Sequence, residues 1–590
     1  MKKSLKKLFS FMKPYKFKFY LSIFFSSIYT LARASQPLFI GMAISELARN
    51  VKEGEINFNY MGTIVVVLII TGLIDALGDY LSNYLLSEAV QDTTLDLRRG
   101  LYNKLNRLPV SYFDSRQQGE ILSRLTTDVT VISEAMQQSL LQVLTAVLSL
   151  VFSFIFMFYL SPFFALVALI MLPLCVLAFK RIANMGQPHF KSLQDSLGDL
   201  NGYTQEYYSG NMVVKLFNQE EDVIEGFEKV NDKLTKASFK ANFLSSTINP
   251  ILSSITYFFY IGLFLVLALL VLDKPLLVFG FTLAGAMEIG AIQAFIQYVW
   301  QASGPIGQIT QLSNLFQTAI ASLSRVMEVF DEEEDKDVKE KFQMDNITVD
   351  GNIQFKDVQF GYSPDKLLMD GIDIDIKAGD TVAIVGPTGA GKTTLINLLM
   401  RFYDLNGGQI TIDGLGIDQI SKKQSRSLFG IVDQNPWLYS TTIEENIRFG
   451  RLDATYQEVI EAAELARADH FIRTLPEGYK TVINEDTTNV SQGEKQLITI
   501  ARALLKDPEI LILDEATSSV DTRLEHLLQE AMDKAMEGRT SFIIAHRLST
   551  IRNADLILVM QEGSIVEQGN HQDLIEQGGI YRDLYESQFQ

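Results

Sequence analysis

Residues Gly386-Pro387-Thr388-Gly389-Ala390-Gly391-Lys392-Thr393 decide the reading of this chain. They fit G-x-x-x-x-G-K-[ST], the phosphate-cradling P-loop. The preceding Thr381–Val385 reads as a short buried strand, and residues 394–401 read as the start of a helix. The glycines let the backbone bend so that its N–H groups converge on phosphate oxygens. The helix N-terminus adds a partial positive charge. Lys392 supplies a point charge for the β- and γ-phosphates, and the Thr393 hydroxyl suits Mg²⁺. Pro387, Thr388, Ala390 and Thr394 complete the run that would touch the nucleotide. A plain Gly-rich turn is the competing reading, and the rest of the chain weighs against it.

With 590 residues the chain is too long for one domain. A formal net charge of -19 argues against nucleic acid as a partner. The single cysteine, Cys175, excludes an intrachain disulfide and a Cys-based metal site. The five histidines are scattered, without metal-ligand spacing. Lys2, Lys3, Lys6, Lys7 and Lys13 crowd the N-terminus, and no small-residue cleavage site follows. This segment is expected to be an amphipathic basic helix lying on a membrane surface.

Nearly all long apolar runs precede residue 305. Six segments suit spans of about 20 residues: 17–47, 59–86, 136–160, 162–179, 244–272 and 276–303. Only Ser161-Pro162 separates the third from the fourth, which predicts a tight hairpin. The loops after the second and fourth spans are rich in Lys and Arg, whereas the opposite loops hold only Arg49, Lys52 and Lys274. The positive-inside rule therefore places both termini in the cytoplasm. The long basic loops carry few helix breakers, so spans two to five are expected to continue as helices beyond the bilayer. Pro109 and Ser209-Gly210 mark their turning points.

Ionisable residues inside spans are expensive and need a partner or water. Arg33 in the first span and Asp75 in the second lie at similar depth, as a structural ion pair or as part of a substrate path. Asp79 lies in the second span and Glu288 in the sixth. Gln293, Gln297, Trp300 and Gln301 fall within one helical face. Such a polar and aromatic stripe suits either a water-accessible cavity for amphipathic molecules or interhelical hydrogen bonds.

Residues 331–337, Asp-Glu-Glu-Glu-Asp-Lys-Asp, read as an acidic, solvated hinge. From Gly351 onward strands and helices alternate as in an α/β domain. The expected organisation is thus multidomain: an all-α membrane domain of six helices over 1–330, a linker over 331–350, and an α/β P-loop nucleotide-binding domain over 351–590. Ile510-Leu511-Ile512-Leu513-Asp514 is an apolar strand ending in a carboxylate, a Walker B pattern in which Asp514 holds Mg²⁺. Glu515 follows, placed to orient or deprotonate an attacking water. A second apolar strand, residues 541–545, ends at His546, suited to a γ-phosphate contact.

Together these motifs resemble a half-transporter of the ATP-binding cassette (ABC) exporters, over nearly the whole chain. The resemblance implies ATP and Mg²⁺ as cofactors and ATP hydrolysis coupled to transport. It implies that Tyr362, in Phe360-Gly361-Tyr362, stacks on adenine, and that Gln434 is the Q-loop glutamine at Mg²⁺. Asp521, in Ser518-Ser519-Val520-Asp521, matches the D-loop, and His546 the switch histidine. Pro109 to Asp114 resembles the first coupling helix, and residues 203–215 the second.

The signature, usually Leu-Ser-Gly-Gly-Gln, reads Val490-Ser491-Gln492-Gly493-Glu494 here. Ser491 and Gly493 remain to touch the γ-phosphate held by an opposite subunit. Gln492 restricts the backbone, and Glu494 puts an anion near a polyphosphate. The resemblance is nearest to the D-type subunits of bacterial heterodimeric multidrug exporters. It implies a second ABC half-transporter as partner, with one competent and one degenerate ATP site. A homodimer that tolerates the altered signature is the alternative. Multidrug efflux across a bacterial cytoplasmic membrane is the expected function. A lipid flippase, a peptide exporter or a regulatory membrane ATPase subunit are the other readings.

Overall fold

The computed structural model describes residues 2–54, 57–271, 277–278, 281–282, 289–335, 337, 349–363, 366–484, 489–514, 522–544 and 551–587. The chain divides into two compact units, Met1–Asn106 with Gln118–Glu332, and Arg107–Gln117 with Glu333–Gln590.

The first unit is helical. A short helix α1 (Lys2–Met12) precedes α2 (Lys16–Glu53) and α3 (Phe58–Leu105). In the second unit, α4 (Val110–Asp114) begins at Pro109, which caps it in extended conformation as the turning point required. The first unit resumes with α5 (Gln118–Ser123), a π-turn Arg124–Asp128, α6 (Val129–Leu160), α7 (Pro162–Ser209), α8 (Asn211–Leu216) and α9 (Glu220–Val271). Pro162 opens α7 directly after α6, and Gly210 caps its far end. At 1.5 Å per residue the 48-residue α3 and α7 run about 70 Å, far more than a bilayer needs.

One expectation fails. The sixth apolar segment is not helical at its first described residues, 277–278 and 281–282. Strands β1 (Leu277–Val278) and β2 (Phe281–Thr282) pair there, and the helix, α10, is described over Ile289–Asp331. Pro275 lacks a backbone donor, and Val278, Phe281 and Thr282 favour a pleated backbone, so an apolar run of this composition suits a hairpin as well as a helix.

Helices α7 and α9 pack chiefly on each other, while α2, α3, α6 and α10 form a second group. Gly41 of α2 and Gly290 of α10 let two backbones touch: a Cβ on Gly290 would lie 1.7 Å from the Gly41 carbonyl oxygen. Tyr298 of α10 is fully buried beside this crossing and donates its hydroxyl proton to the Ala34 carbonyl at 2.8 Å. Lower down, Arg325 of α10 grips Asp128 in the π-turn through Nε (2.9 Å) and Nη2 (2.5 Å). Burial alone would raise the Asp128 pKa, but the Arg325 and Ser322 hydrogen bonds outweigh it and hold the carboxyl below its usual range.

The second unit carries two sheets. An antiparallel sheet runs β4 (Met369–Ile376), β3 (Ile353–Phe360), β6 (Gly407–Ile412) and β7 (Leu415–Gly416). The other, in the order β12-β11-β5-β10-β9-β8, holds β5 (Thr381–Val385), β8 (Phe429–Val432), β9 (Ile510–Asp514), β10 (Thr540–Ile544) and β11 (Leu556–Gln561) in parallel, with β12 (Ser564–Gly569) antiparallel at its edge. Strand β5 is buried on both faces. Val382 and Ile384 enter one core with β3 and β6, and Ala383 and Val385 enter the other. Helices α11 (Lys392–Leu399) and α12 (Lys422–Ser427) follow β5 and β7. A helical region α13 (Ile443–Arg448), α14 (Tyr456–Leu465), α15 (Asp469–Thr474) and α16 (Gln492–Lys506) follows β8, and α17 (Thr522–Met536) lies between β9 and β10.

The acidic connector is not simply solvated. Lys422, only 6% exposed at its side chain, pairs with Asp335 at 2.5 Å. Its backbone N–H donates to Asp337 at 2.8 Å, and the Asp335 N–H donates to the Arg107 carbonyl. A lysine that deeply buried needs an anion, and the connector supplies it.

Candidate functional site

Parallel strands β5, β8, β9 and β10 all end at the same edge of the sheet, where ligands of open α/β sheets bind. This edge gathers the P-loop residues, Asp514 and Gln434. The P-loop leaves β5, Asp514 ends β9, and Gln434 follows the end of β8, exposed. Glu515 and His546, which follow the ends of β9 and β10 in the sequence, lie outside the described residues, as do Asp521 and Glu288.

The P-loop has the backbone its glycines permit. Gly386, Gly389 and Gly391 adopt φ of 150°, 84° and 102°. A Cβ on Gly386 would stand 2.2 Å from the Met560 carbonyl of β11. Gly391 caps α11 in left-handed conformation, which turns the N–H groups of Lys392 and Thr393 toward the loop. The Lys392 ammonium donates to the carbonyls of Gly386 (2.7 Å) and Pro387 (3.1 Å), bridging the loop's two sides. Burial pushes the Lys392 pKa down, and the Asp514 carboxylate pulls it back up. That opposition ties Walker B to the P-loop electrostatically. Thr393, Asp514 and Gln434 offer oxygen donors only, with one carboxylate. This donor set fits Mg²⁺, which takes few protein ligands and completes its shell with phosphate and water.

Tyr362 sits at the rim, and the residue is 58% exposed. Its hydroxyl pairs with that of Thr394, one turn into α11, at 2.8 Å. Its ring meets Phe360 at 5.0 Å and Tyr403 at 5.2 Å, both edge-on. An exposed ring face held edge-on by two others is a stacking platform for a base. Tyr403 escaped the sequence reading. Its hydroxyl donates to Asp114 of α4, and burial together with that carboxylate pushes its pKa up. Tyr112 of α4 is buried under the Arg116 guanidinium, 4.1 Å from the ring centroid. Nothing local in Arg401-Phe402-Tyr403-Asp404 announces this role, because the partner lies 289 residues away.

The signature is built as a helix cap. Ser491 is the N-cap of α16; its Oγ accepts from the Glu494 N–H (3.3 Å), and the Glu494 carboxylate accepts from the Ser491 N–H (2.7 Å). The pattern Ser-x-x-Glu is a capping box, legible in the sequence though not read there. Gly493 is buried in the first turn. In the membrane half, Arg33 does pair with Asp75, Nε to Oδ1 at 3.2 Å. Gln301 accepts a hydrogen bond from Ser153 of α6 at 3.3 Å, so part of the polar stripe ties helices together. Gln293 and Gln297 are half-buried, and Trp300 is exposed.

A helical membrane unit joined to a P-loop domain with Walker B, aromatic and signature elements is a membrane-embedded, nucleotide-driven pump. Known families agree. The ABC transporter transmembrane region family matches residues 19–306, and the ABC transporter family matches residues 369–518. A fatty acid ABC transporter ATP-binding/permease protein of Mycobacterium bovis is 43% identical over 500 residues, covering 85% of this chain and 77% of its own. An uncharacterized ABC transporter ATP-binding protein of Bacillus subtilis, YfiC, is 38% identical over 556 residues, covering 94% and 89%. A bacterial Atm1-family ABC exporter solved with ATP bound is similar over 95% of this chain and 97% of its own, at 26% identity and a TM-score of 0.72. The chain belongs to the ABC transporter family. It has the type I exporter fold and is an ATP-driven exporter half-transporter that couples ATP hydrolysis to transport.

Proposed function

We propose that this chain is the catalytically competent half of an asymmetric, two-chain exporter of amphipathic compounds in a bacterial cytoplasmic membrane, with both termini cytoplasmic. The observation that carries the reading is a contrast within one chain. The P-loop, Asp514 and Glu515 are intact, while the signature has Gln492 and Glu494 and its serine is engaged in a capping box with that Glu494. Two ATP molecules close the paired nucleotide domains. Lys392 and the P-loop N–H groups hold the phosphates, Tyr362 stacks on adenine, and Glu515 takes the proton of the attacking water, with His546 at the γ-phosphate. Thr393, Asp514 and Gln434 would hold Mg²⁺, which would supply positive charge beside the phosphates. The partner's signature completes this site; Ser491, Gly493 and Asp521 serve the weaker one.

Arg33, Asp75, Glu288, Gln293, Gln297, Trp300 and Gln301 remain the candidate path for amphipathic cargo. A lipid or fatty-acid substrate is the second reading, favoured by the 43% identity to a protein named a fatty acid transporter. The test is to tag this chain, extract it gently and identify what co-purifies one-to-one. A second ABC half-transporter with a residue other than Glu after its Walker B Asp is expected. Recovery of this chain alone as an active dimer would overturn the asymmetry. Uptake of labelled fatty acids against cationic dyes into inverted vesicles then separates the two cargo readings.

Coupling has its own test. Tyr403→Phe keeps the ring packing around Tyr362 but removes the donor to Asp114. The loss of one charge-assisted hydrogen bond is expected to lower cargo-stimulated turnover by about threefold to tenfold. Nucleotide affinity, measured by fluorescent ATP-analogue binding, is expected to stay near wild type. A parallel loss of affinity would mean that Tyr403 serves the nucleotide alone.

A further inference from the structure

A groove of about 500 Å³ runs between α1, the start of α2, and the helices α3 and α6. We propose that it holds one acyl chain of an anionic phospholipid of the inner leaflet, with Lys13 and Lys16 binding the headgroup. The volume lies within the range of about 300–1,000 Å³ typical of ligand sites. Its walls are apolar: Phe9 of α1, Phe19 and Ile23 of α2, Leu86 of α3, and Leu141 and Leu144 of α6. The polarity runs one way. Lys13 and Lys16 line the groove where α2 begins, and Ile23 lies about 10 Å further along the same helix. An acyl chain below an anionic head has the same polarity.

The charges around the groove decide which head it takes. The carboxylates of α3 are engaged elsewhere. Lys18 binds Glu88 and Asp92, each at 2.8 Å, and the Tyr15 hydroxyl donates to Asp96 at 2.7 Å. Among the described residues, Lys13 and Lys16 have no ion-pair partner. Two cations over an apolar slot select an anionic amphiphile over a zwitterionic one.

The groove also sits under a helix that matters. Helix α1 is stapled to the end of α10 by Lys7 on Asp331 and by Phe11 against Phe330, ring centroids 5.6 Å apart. A lipid chain packed beneath α1 fixes the helix that steadies the end of α10, just before the acidic connector. The lipid therefore acts on the strut and not on the cargo path, and the inference does not depend on which cargo is carried.

The test uses the full transporter, with whatever partner it carries. It is reconstituted into phosphatidylcholine nanodiscs with or without phosphatidylglycerol, then delipidated stepwise and weighed by native mass spectrometry. One phosphatidylglycerol per copy of this chain is expected to be retained longest. Lys13→Gln with Lys16→Gln is expected to weaken that retention by about 30-fold, on the scale of two lysines facing an anionic headgroup. Lys13→Arg with Lys16→Arg is expected to keep it. Leu140→Trp, a half-exposed groove position, is expected to reduce retention of either lipid without touching the charges. Phosphatidylcholine held as tightly as phosphatidylglycerol by the wild type, or retention unchanged in the glutamine variant, overturns the proposal.

Discussion

Replacing Lys392 with alanine is expected to lower ATP turnover by about 10³-fold, the scale of losing a preorganised charge that stabilises the transition state. The ammonium is anchored on two loop carbonyls and partly desolvated, which is why burial lowers its pKa. A polyphosphate adds anionic charge beyond that of the Asp514 carboxylate, so the Lys392 charge is worth more when nucleotide arrives than it is before. Nucleotide affinity is therefore expected to fall along with turnover. Thermal stability is expected to change little, because the released carbonyls of half-buried Gly386 and exposed Pro387 lie in a loop that water reaches. Phosphate release and fluorescent-nucleotide binding on the purified transporter check both halves. Turnover within tenfold of wild type would mean that the P-loop of this chain is not at the hydrolysing site.

The shape of the candidate nucleotide site was legible because its chemistry forces residue types at fixed spacing. Gly386, Gly389 and Gly391 occupy backbone conformations that side chains resist, so the spacing of the glycines records the shape of the loop. The long helices were legible because lipid-facing apolar runs leave a strong, continuous signal. The start of the sixth segment was not, since apolarity alone does not separate a Val/Phe/Thr hairpin from a helix, and the two readings differ only in backbone preference. The acidic connector misled for another reason. Its charges look solvated until Lys422, 85 residues on from Asp337, is seen to be buried against them. Tyr403 and Asp114 form the same kind of long-range pair, invisible to any local window. Glu494 is the instructive case. Read against a polyphosphate it is a defect, and read against its own helix it is half of a capping box.

That double role of Glu494 shapes the last expectation. Replacing Glu515 with glutamine removes the proposed base but keeps the side chain's size and hydrogen-bonding reach. Turnover of the whole assembly is expected to fall by about 10²–10⁴-fold, the usual contribution of a positioned general base. ATP should still bind, because Lys392, the P-loop N–H groups and Tyr362 do not depend on that carboxylate. The nucleotide domains are then expected to stay closed over unhydrolysed ATP, which double electron–electron resonance between spin labels on the two domains reads directly. The proposed partner would supply the internal control. If the site that uses the capped signature of this chain is the weak one, neutralising the partner residue that follows its Walker B aspartate changes turnover only a few-fold. Equal losses from the two replacements would mean that both sites hydrolyse ATP and that the Ser491–Glu494 cap opens when the domains meet. Helix α16 would then have to exchange its own carboxylate for the γ-phosphate of the opposite subunit, a swap of one N-terminal anion for another that the helix dipole supports equally well.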